Sequence, residues 1–250
     1  EKMRDTEGNA DVAFWKVSNK PISRASFSST KSPNSLRFAT VDREGYAKIF
    51  DWATSSLLFC VKSYFGCFLT LEWSPCARLL VLGGEDDAVS VVDIKKRRIL
   101  CRGEGHRSWV SSLSFLKTIK EKTDGGEEGE KGEKGEKRRE KKSTSFSFAS
   151  VGQDGYLCLW NVCLDDEGRP RPRSVSGMPK RERANSAKVF PESNESSQLI
   201  TYPKSGVTEI KPVAMHRSHH NPVSSVLYLS DGIVTTCTSG IVKLWKCGTY

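Results

Sequence analysis

Four short segments of this chain share one design: "YAKIFDW" (46–52), "VSVVDI" (89–94), "LCLWNV" (157–162) and "VKLWKC" (242–247). Each follows a turn and sets an apolar or aromatic residue just before Asp51, Asp93, Asn161 or Lys246. The first two are 42 residues apart. The later gaps return to about 40 once a polar insert is subtracted from each. Upstream of every segment stands a pair of short apolar runs, "ISRASF…LRFATV", "FLTLEW…RLLVLG", "WVSSLSF…FSFASV" and "VSSVLYL…GIVTTC". Runs of this length, rich in β-branched and aromatic residues and separated by turn signals, predict strands. A unit of three or four such strands buries its apolar faces only by stacking on copies of itself, so the repeat predicts the blades of a β-propeller.

The period is that of WD-type repeats, and the fold class expected is all-β, a WD-repeat propeller. The blades are interrupted twice. Residues 120–144 repeat Gly-Glu-Lys without apolar periodicity and cannot bury enough surface to offset their ordering entropy. Residues 164–211 include "RPRPRSVSGMPKRER" and read as a second disordered linker, in which Ser174, Ser176 and Ser186 each follow an Arg by three positions, a basophilic phosphorylation pattern. Residues 120–144 and most of 169–198 are expected to tolerate shortening. The organisation expected is blades 1 and 2 with the start of blade 3 over 1–116, an insert at 117–145, the rest of blade 3 at 146–163, a linker at 164–211 and a final blade at 212–250. The overall charge is +9 at pH 7. Between positions 169 and 188 stand seven basic residues and the single acid Glu182, so most of the basicity belongs to the linker and not to a folded face. Nucleic acid is therefore not the expected partner, although a scaffold that uses the linker for that purpose is the alternative reading.

Four acids in eleven positions, "GGEDDAVSVVD" (83–93), raise the question of a metal or catalytic centre. In WD-type blades an Asp in the turn before the third strand ties together a His at the blade start, a Ser or Thr on the second strand and the Trp ending the third. The third repeat has the whole set: His106, Ser150, Asp154 and Trp160. On the same alignment Asp86 is the turn acid of the second repeat, Glu44 a longer substitute in the first, and Ser239 marks its loss in the fourth. A buried carboxylate is tolerable only with such partners, so the acids read as structural, with no metal. "HRSHH" (216–220) offers three imidazoles but no convergent acids or cysteines for zinc, and one of them suits the blade-start position. The eight cysteines form no CxxC pair and several sit among apolar residues, as small buried hydrophobes in a reducing compartment do, which places the protein in the cytoplasm or nucleus. No run is long enough for a membrane-spanning helix and no G-x-S-x-G, H-E-x-x-H or P-loop pattern occurs, so neither membrane, cofactor nor enzyme activity is expected.

Beyond the repeat, "KSYFG", "WSP", "GGEDD", "GHRSWV" and "SVGQDGYLCLWNV", with "SSVLYLSDGIVTTCTSGIVKLW" near the end, resemble the family of WD repeat-containing protein 20, its relatives the dystrophia myotonica WD-repeat protein and the fungal catabolite-repression WD protein. The resemblance covers 38–115, 148–162 and 223–245. Two departures are Cys67, where the family favours Gly, and the Gly-Glu-Lys insert in the third blade. The resemblance implies a ring of about seven blades, of which this chain holds about four. It also implies a non-catalytic accessory subunit that binds and regulates a ubiquitin-specific protease, often beside a second WD-repeat protein. Two loops at blade starts, "SYFGC" and "HRSWV", present Phe65, Trp109 and Tyr64 as candidate partner contacts, flanked by Arg107 and Lys62.

Overall fold

The computed structural model describes residues 2–4, 11–13, 16–29, 35–116, 120–123, 142–165, 167–171, 199–201 and 207–246. A short antiparallel ribbon of β1 (Lys2–Arg4) and β2 (Asp11–Ala13) precedes four sheets. Blade 1 is an antiparallel meander of β3 (Ile22–Phe27), β4 (Arg37–Asp42), β5 (Tyr46–Asp51) and β6 (Ser56–Lys62). Blade 2 repeats it with β7 (Phe68–Trp73), β8 (Leu79–Gly84), β9 (Ala88–Asp93) and β10 (Arg98–Glu104). Blade 3 starts with β11 (Val110–Phe115), which pairs not with β12 (Lys120–Thr123) but with the long β13 (Lys142–Gly152). Next comes β14 (Tyr156–Leu164), with β15 (Pro170–Arg171) at its far end.

The chain then runs back along the outer edges of the earlier blades. β16 (Leu199–Thr201) lies parallel to β6, and β17 (Thr208–Ile210) lies parallel to β10. β18 (Ala214–Arg217) supplies the fourth strand of blade 3 by pairing with β14. Blade 4 follows as β19 (Val223–Tyr228), β20 (Gly232–Cys237) and β21 (Val242–Lys246). All four blades shift register at the same place, between the first and third residues of their first strand: Ile22/Arg24, Phe68/Thr70, Val110/Ser112 and Val223/Ser225. One bulge at one position in each sheet is the sequence repeat expressed in backbone geometry.

Two expectations from the sequence are corrected here. The Gly-Glu-Lys stretch is not wholly structureless, since Lys120–Thr123 forms β12 and pairs with Lys142–Ser145. The second linker likewise contains β15, β16 and β17. Ile200, Val207 and Ile210 pack on the blade cores, which is what holds these edge strands. Residues 124–141 and 172–198, and with them Ser174, Ser176 and Ser186, lie outside the described residues.

Packing explains why "RLLVLGG" lacks alternation. Leu80 and Leu82 on β8 face a core shared with blade 1, built on Val41, Ile49, Phe59, Leu71 and Trp73. Leu79 and Val81 face the opposite core, shared with Val110, Phe148 and Trp160 of blade 3. A sheet sandwiched between two others is buried on both faces and can spare no polar position. Close approach matters as well: a Cβ on Gly103 would stand 2.6 Å from the Trp160 ring, so only glycine lets these blades meet. Cys101 and Cys158 lie within the same core, and burial pushes both thiols up to about 12, leaving them protonated fillers. Blade 4 differs, because Leu227, Val242 and Leu244 stay 50–66% exposed with no further sheet over them among the described residues.

Candidate functional site

Loops joining one blade to the next and turns between second and third strands all emerge at one end of the sheets. They are tied to each other there: Ser63 N–H donates to Gly45 O at 2.8 Å, Glu85 N–H to Cys67 O at 3.0 Å and Gln153 N–H to Trp109 O at 2.9 Å. This end forms a rim, and beneath it lie the polar networks.

In blade 3 the network is continuous. Trp160 Nε1–H donates to Ser150 Oγ at 2.8 Å, and Ser150 Oγ is 2.7 Å from His106 Nε2. His106 Nδ1 lies 3.0 Å from Asp154 Oδ2. A carboxylate only accepts, so the proton sits on Nδ1, and Nε2 accepts from the serine hydroxyl. Asp154 further accepts the N–H groups of Arg107 at 2.9 Å and Tyr156 at 3.0 Å. Burial pulls its pKa upward, but the bonds from His106, Arg107 and Tyr156 outweigh that and hold it below the usual carboxylate range. Serine, imidazole and carboxylate stand here in the order of a hydrolytic triad. The chemistry is shut off nonetheless: Ser150 is 0% exposed and its oxygen already accepts from the Trp160 indole, so no substrate carbonyl can approach. The arrangement can brace a blade and hold its loop; it cannot attack a substrate.

The other blades solve the same problem with other residues. Blade 4 keeps His219, Thr235 and Trp245, with Thr235 Oγ1 2.9 Å from His219 Nε2 and 3.0 Å from Trp245 Nε1. Ser239 stands where the acid is lost, and His219 Nδ1 is buried without a partner. Of the "HRSHH" imidazoles His219 thus takes the blade-start place, while His216 stacks on Trp245 and His220 is exposed. Among the described residues no three His, Cys, Asp or Glu side chains come together as metal ligands.

Blade 1 corrects the assignment of Glu44. That side chain is exposed, and the turn is held instead by Asp42, which accepts the N–H groups of Glu44 at 3.1 Å and Tyr46 at 3.0 Å. Asp42 also receives Ser18 Oγ–H at 2.8 Å and Lys48 Nζ at 3.0 Å. A chain that places Ser18 and Lys48 at the inner positions brings its own cation, so the acid moves two residues back onto the strand, where it can reach it. Burial acts to raise the pKa of Asp42, yet the hydrogen bonds of Tyr46, Lys48 and Ser18 bring it below the ordinary value.

Blade 2 has the turn acid but not its partners. Tyr64, Leu82 and Val92 occupy the positions of His106, Ser150 and Trp160. Among the described residues Asp86 receives a long 3.4 Å contact from Ala88 N–H, and its Oδ2 is buried without a hydrogen-bond partner. Burial raises its pKa to about 6, against the smaller pull of Arg102. Between pH 4 and 6 the folded chain therefore holds this proton more tightly than the unfolded chain, and stability falls as pH rises through that window. Replacing Asp86 by Asn is expected to stabilise the chain at pH 7 by about 2 kcal/mol, with the gain vanishing near pH 4. Urea unfolding at both pH values measures it; an equal effect at both would show that the carboxylate is not the cause.

Above these networks sit the aromatic candidates. Phe65 is 64% exposed, Trp109 40% and Tyr64 37%. The Phe65 loop is pinned from two sides. Ser63 Oγ–H donates to Phe65 O at 2.7 Å, and Glu85 accepts Cys67 N–H through Oε2 at 3.1 Å while its Oε1 pairs with Arg43 at 3.5 Å. Tyr64 is partly committed inward, its ring 4.4 Å from the guanidinium of buried Arg102. Arg107 is exposed and its backbone is held by Asp154, so the blade 3 network positions the loop that carries Trp109. Lys62 turns away, with Nζ over the Tyr46 ring and bonded to Glu44 O. Glu85 and Arg102 were not singled out by sequence. The first lay hidden as one of the acids in "GEDD"; the second is a cation on a fourth strand, which no spacing rule marks.

Stacked antiparallel blades with a His-Ser-Asp-Trp network at the rim define this protein as a WD-repeat β-propeller chain. No family model matches it. It is 41% identical over 104 residues to the WD repeat-containing protein 20 homolog of Caenorhabditis elegans, covering 42% of this chain and 13% of that protein. It is 24% identical to the UBP9-binding protein bun62 of Schizosaccharomyces pombe, over 97% of this chain and 43% of that protein. The likeness to the WD repeat-containing protein 20 group read from the motifs thus recurs in both relatives, and the chain spans less than half the length of either. Among solved structures, a chain of Chaetomium thermophilum Polycomb Repressive Complex 2 bound to GSK126 superposes with a TM-score of 0.57 at 15% identity, covering 98% of this chain and 44% of that one. The computationally designed Ika4 protein gives 0.54 at 16% identity, with 92% and 94% covered. At these identities the structures speak for the fold alone.

Proposed function

We propose that this chain is part of a non-catalytic scaffold that binds a ubiquitin-specific protease through the rim bearing Phe65 and Trp109. The observation that carries this reading is the pair of exposed aromatics on successive interblade loops, each pinned by buried polar contacts. Rigid aromatics lose little entropy on binding and serve as anchors. Support for the partner class comes from the fission-yeast relative, which is named for binding UBP9. Exposed Leu227, Val242 and Leu244 offer the face on which a next blade packs, in keeping with a ring of about seven. The buried thiols of Cys101 and Cys158 suit a cytoplasmic or nuclear compartment. A second WD-repeat protein in the assembly belongs to the same proposal. Affinity purification of the full-length protein from its own cells is expected to bring down a ubiquitin-specific protease; its consistent absence overturns the assignment of partner.

A further inference from the structure

The end of the sheets opposite the rim carries a second, differently built surface. The β9–β10 turn exposes Lys95, Lys96 and Arg97, and Arg98 opens β10 beside them with its Nε buried and unpartnered. Arg78, at the same end of blade 2, lies against Gly168. The β14–β15 turn of blade 3 reaches blade 2 here, where Lys96 Nζ bonds to Glu167 O. Of its described acids, Asp165 and Glu167 both pair with Arg169, at 3.0 and 2.8 Å. Asp93 is buried and spends one oxygen on Lys96 N–H. Among the described residues Arg78, Lys95, Arg97 and Arg98 form no ion pair. The sequence assigns most of the basicity to the linker, and this folded cluster is a second basic region that spacing alone does not mark.

An exposed aromatic pair stands at the same end of the preceding blade. The equivalent turn of blade 1 carries Trp52, 40% exposed and packed edge-on to Phe27, itself 46% exposed, with ring centroids 4.8 Å apart. Phosphate-pairing cations next to exposed aromatic faces are what a sequence-tolerant single-strand site needs, the first for the backbone and the second for stacking bases. We propose that this end of blades 1 and 2 binds single-stranded nucleic acid, independently of the protease-binding rim. An acidic peptide would use the charge but gain little from the aromatic pair, which is why nucleic acid is favoured.

The test is fluorescence anisotropy with a 15-nucleotide oligo-U, an oligo-dT and a poly-Glu peptide of equal length, using the full chain at several salt concentrations. Lys95→Glu combined with Arg97→Asn, the Asn chosen because Arg97 has φ of 47°, is expected to weaken oligonucleotide binding at least tenfold and to flatten the log–log salt slope by about 1.4, at about 0.7 for each of the two cations removed. Trp52→Ala is expected to weaken it severalfold with the slope unchanged. Thermal unfolding of each variant confirms that the blades persist, and Arg78→Gln provides a second charge variant if one of them fails to fold. Preference for oligo-U over oligo-dT, or the reverse, identifies the strand. Undiminished binding by the turn variants, no oligonucleotide binding at all, or equal binding of poly-Glu each overturns the proposal.

Discussion

Replacing Asp154 by Ala is expected to cost the chain about 1–3 kcal/mol of stability at pH 7, the penalty for stranding buried donors. Three donors lose their acceptor at once, His106 Nδ1–H and the N–H groups of Arg107 and Tyr156, at a site where the imidazole is buried. The sign with pH follows from the depressed pKa of Asp154. Its contribution is complete above the unfolded value of 3.8 and fades as pH falls through the lower folded value. The variant and the parent should therefore converge in acid. Asp86→Asn runs the other way, stabilising at neutral pH, although both acids occupy the same turn of the repeat. That opposition separates a satisfied carboxylate from an orphaned one, and urea denaturation across pH 3–7 reads both. An Asp154→Ala chain as stable as the parent would remove the structural role assigned to the network.

The contrast also shows where the sequence could be read and where it could not. Blade 3 was legible because His106, Ser150, Asp154 and Trp160 stand at fixed offsets from strands whose apolar pattern is strong. Blade 1 was not, because its acid lies on the strand itself: Asp42 answers to Lys48 across the β4–β5 turn and to Ser18, 24 residues upstream, which meet it only once the sheet forms. Glu44 had the right position and the wrong surroundings. The edge strands β16 and β17 were missed for another reason. Three residues paired in parallel to β6 and β10 carry no periodicity of their own, and their placement depends on edges left open by blades more than 100 residues upstream. Exposure of Phe65 and Trp109 followed from loop position alone, whereas their supports, Glu85 and the Asp154 carboxylate, came from contacts across the rim.

Those supports make the rim testable without unfolding it. Phe65 and Trp109 both project from loops whose backbones are held by other residues, so truncating either ring leaves the buried networks intact. Truncation of an aromatic anchor at an interface commonly costs about 2 kcal/mol or more. Phe65→Ala or Trp109→Ala in the full-length protein is therefore expected to weaken binding to a ubiquitin-specific protease at least tenfold, with thermal stability unchanged. The two loops begin successive blades at the same end, so one partner can reach both, and the double variant should lose less than the sum of the single losses. Glu85→Ala supplies the contrast: it leaves both rings in place but releases the Phe65 loop from Cys67 N–H, and should weaken binding by a smaller factor. Calorimetric titration of the purified pair measures all four. Normal binding by both ring variants would move the contact face elsewhere on the propeller, and unfolding of both would return these aromatics to the core.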